Sequence, residues 1–561
     1  MENHEKLGRF SSCRGVAFEI KPHADLFAIP SAPIINSNSR SIRSTWLPWG
    51  SFSRVAHASS QLSLHRSVSR TSSHFCDVDE DEDDEEDAET LADIEEGHEL
   101  ADQEKVAAAA AAAEVSSLPP RPLPRKEPSS SSRLSVILLD QGLFTVYKRL
   151  FVVCLVLNIT GVVLAATDEF SYARNRPALF SIANIFALVL CRSEAFLRIV
   201  FWAAVKVLGR WWVPLRVKTA TTSFLQCLGG VHSGCGVSSV AWLVYALVLT
   251  LKDRENTSPE IVAVASAILG LLGFSCLAAF PLIRHLHHNV FERTHRFAGW
   301  TALALLWVFV TLTISFDPVT KSYVSDDFWS GLTKTQEFWF TVGITVLIIT
   351  PWLTVRRVPV RMSSPSGHAS IIKFDGGVKA GILGRISPSP FSEWHAFGII
   401  SDDKKEHMML AGAVGDFTKS LVANPPTHLW VRQVHFAGLP YLTNMYGKVL
   451  LVATGSGICV FLSFLLQPCK ADVCLLWVTK GVEQNFGREI KEWMTGHPEQ
   501  KVIVHDTAVL GRPNVSEMTV ETAKKFGAEV VIVTSNPQGS KDVVNACKAS
   551  GIAAFGPIWD S

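Results

Sequence analysis

The sequence predicts a multi-pass α-helical membrane bundle of six spans, followed by an antiparallel β-barrel and a parallel α/β nucleotide-binding domain. Three observations lead there. Apolar stretches long enough to cross a bilayer succeed one another between residues 150 and 355. Short apolar runs broken by Gly, Pro and Ser follow. The last part alternates buried-strand runs with helical segments, the pattern of a parallel sheet.

Composition is consistent with unlike parts. The 561 residues carry 52 basic and 52 acidic side chains, a formal net charge of zero, and a mean hydropathy of +0.22. That hydropathy is high for a soluble chain and low for a pure membrane bundle. The neutral balance excludes a strongly basic nucleic-acid binder, so no nucleic-acid partner is expected. The charges are segregated. No Asp or Glu occurs from Leu26 to Cys76, and a dense acidic run fills Asp77 to Glu96.

Residues 1–135 read as a disordered cytosolic tail. Ser, Pro and charge dominate, with an alanine run from Ala107 to Ala113, and such a composition buries too little apolar area to offset chain entropy. The Ser/Arg-rich stretch before Cys76 also has the composition of an organelle transit peptide, although Glu2 and Glu5 stand where such peptides lack acids. Arg66–Ser73 is a candidate phosphorylation patch. The acidic run is a candidate contact for a cytosolic protein partner.

The membrane part, 145–357, is expected to hold spans at Leu150–Thr167, Ala178–Val205, Phe224–Leu251, Ile261–Ile283, Phe297–Phe316 and Phe338–Val355. A bilayer core of ~30 Å needs ~20 residues of helix, and the lipid bilayer is the expected partner. Lys148, Arg149, Lys206, Arg210, Arg216, Lys218, Arg284, Arg293, Arg296, Arg356, Arg357 and Arg361 fall on one side. The alternate loops carry only Arg174, Arg176, Lys252, Arg254, Lys321 and Lys334. The positive-inside rule then places both termini in the cytosol of a plasma membrane or endomembrane. Glu194 and Arg198, four apart in the second span, are expected to pair on one helix face.

Residues 358–445 are expected to form the barrel and 446–561 the α/β domain, with strands at Lys448–Thr454, Val473–Thr479, Val502–His505 and Val530–Thr534. Helical segments are expected at Phe486–Met494 and Val520–Phe526. Gly455-Ser456-Gly457 follows the first strand, where glycines let a backbone approach a pyrophosphate. Of the eleven cysteines, Cys154, Cys191, Cys227, Cys235 and Cys276 lie in apolar stretches. The C-terminal ones lack zinc-ligand spacing.

Two further motifs are Glu393-Trp394-His395-Ala396-Phe397-Gly398-Ile399-Ile400-Ser401 and Gly412-Ala413-Val414-Gly415-Asp416-Phe417-Thr418. With the order of spans, barrel and α/β domain, they make residues 145–561 resemble the ferric reductase and NADPH oxidase superfamily, closest to fungal TmpA-type integral membrane flavoproteins and their plant relatives. The resemblance implies a ferredoxin-reductase-like module binding FAD and NADPH or NADH. It implies cofactor contacts at Arg385, Trp394, His395, Phe397, Ser401, Gly415, Phe417 and Thr418 for the flavin, and at Gly455, Gly457, Cys459, Lys480 and Arg512 for the nucleotide. Lys480 and Arg512 would favour NADPH through its 2′-phosphate. Departures stand beside it. The family's Thr-Pro is Cys459-Val460, its Cys-Gly is replaced near Thr534-Ser535-Asn536-Pro537, and Gly438-Leu439-Pro440-Tyr441 replaces Gly-Pro-Tyr-Gly.

The superfamily holds two haems between spaced histidine pairs. Here the outer positions fall near Ala246 and Phe309, so at most one haem b is expected, between His232 and His295. The small residues around His232 would make room for a flat macrocycle or a close helix contact. The function these readings imply is a membrane flavoprotein passing electrons from NAD(P)H through FAD to an unknown acceptor at or inside the inner leaflet. The alternative is a membrane scaffold that keeps the fold without nucleotide turnover; a transporter built on the spans ranks last.

Overall fold

The computed structural model describes residues 145–280, 288–324 and 328–557, and in the N-terminal part only the pairing of Phe10–Ser11 with Ala17–Phe18. The expected tail, its acidic run, its phosphorylation patch, and His285 and His287 lie outside the described residues.

Five described helices are long and apolar enough to cross a membrane. They are α1 (Val146–Ala166), α5 (Leu228–Lys252), α6 (Pro259–Ala278), α7 (His288–Ser315) and α8 (Gln336–Leu353). The expected second span is instead two helices. Helix α2 (Pro177–Leu190) ends at Cys191, and α3 (Glu194–Leu208) starts afresh at Ser193, whose hydroxyl accepts from the Phe196 amide and caps it. Helix α4 (Leu215–Gln226) then leads back to α5.

Inside the bundle, close packing replaces polar spacing. Gly230 and Gly234 of α5 face α1, where a Cβ at Gly234 would stand 2.8 Å from the Cβ of Cys154. Small residues let the two backbones approach in the manner of membrane helix pairs. Asn158 of α1 accepts from Asn184 of α2 at 2.8 Å and from the indole of Trp242 of α5 at 2.9 Å. One half-buried amide thus joins three helices.

The barrel hangs directly from α8. Its strands are β1 (Val355–Pro359), β2 (Arg361–Ser366), β3 (Ala369–Asp375), β4 (Ile382–Ser387), β5 (His395–Ser401), β6 (Glu406–Gly412), β7 (His428–Arg432) and β8 (Phe436–Ala437). The antiparallel order is β1-β7-β4-β5-β6-β3-β2, with β8 beside β4. Strands β1 and β2 stand at opposite ends of that order, yet only Val360 separates them in sequence. The sheet must therefore curl until its edges meet. Helix α9 (Asp416–Ala423) covers one end.

The last domain is a five-stranded parallel sheet. Its strands are β9 (Lys448–Thr454), β10 (Asp472–Thr479), β11 (Val502–Asp506), β12 (Val530–Thr534) and β13 (Ala553–Phe555), in the order β11-β10-β9-β12-β13. Helices α10 (Arg488–Thr495), α11 (Val515–Phe526) and α12 (Pro537–Ala549) accompany it. Leu450, Leu451, Leu476 and Trp477 are fully buried, as the strands' unbroken apolar runs require of a sheet covered on both faces.

The split of the second span changes what Glu194 and Arg198 do. Helix α3 lies on the barrel, where Leu197, Phe201 and Ala204 pack with Ile382, Ile386 and Leu442. The Glu194 carboxylate pairs with Arg385 of β4 and, at 3.3 Å, with Arg432 of β7. Arg198 donates to the His435 carbonyl at 3.1 Å. The expected Glu194–Arg198 pair is replaced by contacts between helix and barrel, because α3 has left the apolar layer.

Candidate functional site

Strand order reverses between β9 and β12, which places the crevice of the parallel sheet at their carboxyl ends. Thr454 ends β9 and Ser535 follows β12. Their hydroxyls are 2.8 Å apart and bridge the two strands at that point. Gly455 takes a φ of +49°, a left-handed turn that glycine adopts without a Cβ clash. The loop Gly455–Val460 then makes a short 3₁₀ turn, and Ser463–Leu466 follows as α-helix. The Trp477 indole donates to the Gly455 carbonyl at 2.9 Å and fixes the loop's base.

On the other side, Asn536 caps α12 by accepting from the Gly539 amide at 2.7 Å, and Pro537 occupies its first turn. Ser540 accepts from the Ser535 amide and donates to the Ser535 carbonyl. The crevice therefore has two walls, a glycine loop and the amino end of a thirteen-residue helix, joined by one hydroxyl pair.

The barrel roofs the glycine loop. A Cβ at Gly412 would stand 2.6 Å from the Ser456 hydroxyl, and one at Gly398 2.6 Å from a Val460 methyl. Both positions need glycine for the two domains to approach this closely. Cys459 is buried in this contact, and burial pushes its thiol up to about 12. It is a neutral thiol at physiological pH, not a nucleophile.

The rim is polar. Lys480, exposed, follows β10, and Arg512 follows β11 beyond a short turn of helix. Between them the Asp506 carboxylate accepts from the amides of Gly481 at 2.8 Å, Ala508 at 3.0 Å and Val482 at 3.2 Å. Burial pushes that carboxyl up, and the three backbone donors outweigh it, holding it below its ordinary range. The Gly457, Lys480 and Arg512 positions thus share the carboxyl-end side of the sheet with Thr454 and Ser535. Sequence reading missed Thr454, Ser535 and Asp506. A signal existed for Ser535: a strand followed by Ser-Asn-Pro is a helix start at the height of the glycine loop.

The residues nominated for the flavin are engaged by the protein itself. The His395 ring stacks on Phe417 at 4.3 Å and 8°. Trp394 is buried, with Arg432 over its ring at 4.8 Å and its indole donating to the Pro390 carbonyl. Phe397 is a core residue of the barrel. The Ser401 hydroxyl donates to the Glu406 carbonyl and accepts from the amides of Val378 and Asp403. The Thr418 hydroxyl accepts from the Val414 and Gly415 amides, closing the turn into α9. Arg385 is held by Glu194 and lies over Phe436. These side chains are thus held in place by contacts within the protein.

Of the two haem positions, His232 has a backbone partner, while the buried His295 Nδ1 has no hydrogen-bond partner among the described residues. The His232 Nδ1 lies 3.0 Å from the Leu188 carbonyl. Gly230 and Gly234 beside it face α1, which is the close helix contact of the two expectations. His295 stands beside Phe291 at 5.3 Å. Nothing in the site supports a haem. Among the described residues no group of three or more metal-ligating side chains is found.

A family model for the C-terminal domain of adenylate-forming reductase 03009 matches residues 439–561, the whole α/β domain. Two curated proteins of Coprinopsis cinerea, adenylate-forming reductase 03009 and adenylate-forming reductase 06235, are 34% identical to this chain over 430 and 431 residues. Each match takes in 75% of this chain and 41% of the relative, so the chain spans under half the length of the curated relatives it matches. Among solved structures, phthalate dioxygenase reductase covers 36% of this chain and 68% of its own at 12% identity and a TM-score of 0.29. Ferredoxin-NADP+ reductase from Plasmodium falciparum covers 36% and 93% at 11% identity and 0.26. Likeness that low carries no functional argument.

These names correct the family reading. The relatives are adenylate-forming reductases, not ferric reductases, NADPH oxidases or TmpA-type flavoproteins. The electron-transfer function and the scaffold alternative built on that resemblance fall with it. The order of domains misled because a barrel followed by a parallel sheet is a scaffold that many chemistries share.

Proposed function

We propose that this chain is an oxidoreductase that supplies a pyridine-nucleotide-dependent reduction, the reductase part of a system of the adenylate-forming reductase kind. The observation that carries the reading is the crevice at the strand-order reversal, walled by the Gly455–Gly457 loop and the amino end of α12 and bridged by Thr454 and Ser535. The relatives' names join adenylate formation to reduction. The family match falls on the α/β domain, which supports assigning reduction to the shared part and adenylate formation to what the chain does not span.

The chain's residues have separate tasks in this reading. Loop amides at Gly455–Gly457 and the amino end of α12 receive the pyrophosphate. Thr454 and Ser535 hold the neighbouring ribose. Lys480 and Arg512 set the choice between NADPH and NADH. Bound reduced nicotinamide supplies the hydride, and the barrel over Cys459 and Val460 keeps water from that end of the crevice. The five long apolar helices anchor the module in a bilayer, with the basic flanks on the cytosolic side.

Equilibrium binding of NADPH and NADH to the purified full chain tests the proposal. Thr454→Val and Ser535→Ala are each expected to weaken binding about tenfold, the loss of one hydrogen bond. Lys480→Ala is expected to weaken NADPH and leave NADH unchanged. No binding of either nucleotide, or binding indifferent to both crevice variants, overturns it. FAD added in parallel shows whether a flavin joins the nucleotide.

A further inference from the structure

The segment between α2 and α5 has apolar side chains on two faces, and only one face is covered. On the inner face of α3, Leu197, Phe201, Ala204 and Val205 pack into the barrel. On the outer face, Ile199, Trp202 and Val207 are exposed. The turn that follows presents Trp211 at 94% exposure and Trp212 at 64%, and α4 opens with exposed Leu215 and Val217. A monomer in water rarely keeps so many large apolar side chains together and uncovered.

The charges in the segment are of one sign. No Asp or Glu occurs from Ala195 to Leu251, while Arg198, Lys206, Arg210, Arg216 and Lys218 all fall before α5. Arg198 is engaged by the His435 carbonyl and Lys218 is buried. Lys206, Arg210 and Arg216 stay on the open side, and the Lys206 ammonium lies 4.6 Å from the Trp202 ring centre. Indole rings with an apolar body and one N–H suit the headgroup layer of a bilayer, and clustered Lys and Arg suit its anionic lipids.

Both ends of the segment join helices of the apolar bundle. Leu190 closes α2 three residues before Ser193, and α5 opens at Leu228, two residues after α4 ends at Gln226. Fifteen residues of helix extend only ~22 Å, so the tryptophan turn stays tied to the bundle from both sides.

We propose that the outer face of α3, the turn at Arg210–Trp212 and the start of α4 form a docking surface for the anionic cytosolic leaflet of the bilayer. Helix α3 is then held between lipid headgroups on one side and the barrel on the other. The Glu194 contacts to Arg385 and Arg432 lock the barrel to that helix, so the surface sets how the nucleotide crevice stands over the membrane. This inference rests on the reading of the long apolar helices as membrane spans.

The test uses the full chain in nanodiscs, with a solvent-sensitive fluorescent amino acid placed at position 211, at 157 on the exposed face of α1, or at 521 on the exposed face of α11. Discs hold phosphatidylcholine alone or with about one-third phosphatidylserine, with and without brominated acyl chains. The expected result is a blue-shifted probe at 211 that brominated lipid quenches about twofold. Quenching should weaken without phosphatidylserine, at high salt, and in the Lys206→Gln, Arg210→Gln, Arg216→Gln triple variant. A probe at 211 that emits like the one at 521, while 157 is quenched, overturns the docking surface and leaves the spans standing. A blue-shifted probe at 211 that brominated lipid does not quench means protein covers the face, and also overturns it. If 157 is unquenched as well, the membrane reading itself fails and takes this one with it.

Discussion

Strand β9 and helix α1 are built from nearly the same side chains and live in opposite surroundings. Leu450, Leu451 and Val452 are fully buried between layers of protein. Val153, Val156, Leu157 and Val163 stand half or more exposed on α1, whose mean hydropathy is 2.2. The difference teaches that apolar content alone does not place a residue in a core. In the sheet, protein removes the side chains from water, and packing complementarity decides their worth. On α1 the apolar side chains stay outward, on a helix long and apolar enough to cross a membrane.

Substitutions can break or sharpen this contrast. The largest effect is expected at Trp477, fully buried in β10 with its indole bonded to the Gly455 carbonyl. Trp477→Ala should cost about 4 kcal/mol, read as a fall in the denaturant midpoint of the detergent-solubilised chain. An intact midpoint would show that the sheet is not close-packed there.

Glu194→Gln comes next. It strips the carboxylate from Arg385 and from Arg432, whose Nε already lacks a partner among the described residues. A loss of about 3 kcal/mol is expected, because two guanidinium groups are left in a partly dry junction. Limited proteolysis should cut between α2 and α3 faster in the variant; an unchanged rate would mean that apolar packing alone seats the barrel.

Gly230→Ala should cost about 2 kcal/mol, since its Cβ would press on the Tyr147 backbone across the α1–α5 contact. Thermal unfolding in detergent reads this. Acid has a smaller effect per unit of pH. Burial, then His407 and Arg198 nearby, hold the His435 ring at about 4 against its ordinary 6.5. Below pH 6.5 the unfolded chain takes up a proton that the folded chain refuses until about pH 4. Stability should therefore fall by about 1 kcal/mol per pH unit across that window, with no such slope above it. His435→Gln should flatten it. The smallest effect is Leu157→Ala, expected within about 0.5 kcal/mol in detergent because the side chain faces outward.

The strands of the parallel sheet were legible because each is a short, unbroken apolar run between turn residues. Lys448–Thr454 and Val530–Thr534 lie where the run of β-branched and aliphatic residues puts them. The glycine loop was legible for the same reason. The second span was not, because apolar runs flank Arg192, Glu194 and Arg198 on both sides and the break rests on three residues, Cys191-Arg192-Ser193, whose capping role emerges only when Ser193 meets the Phe196 amide. The aromatic motif around His395 was legible as a motif, but its contacts within the protein were not. His395 meets Phe417 of α9, and Trp394 meets Arg432 of β7, contacts between separate elements that no local pattern gives.

By itself the sequence determined which segments shun water, where the chain turns, and that a glycine loop ends the first strand of a parallel sheet. These follow from local propensity and periodicity, which act within a few residues. Only the tertiary structure decided which of the apolar helices meets protein, that Glu194 belongs to the barrel rather than to Arg198, and that Thr454 and Ser535 face each other across the crevice. Each of those pairings joins residues up to 238 positions apart, as Glu194 and Arg432 are. No local pattern specifies such a contact, because it forms only once the whole chain has packed.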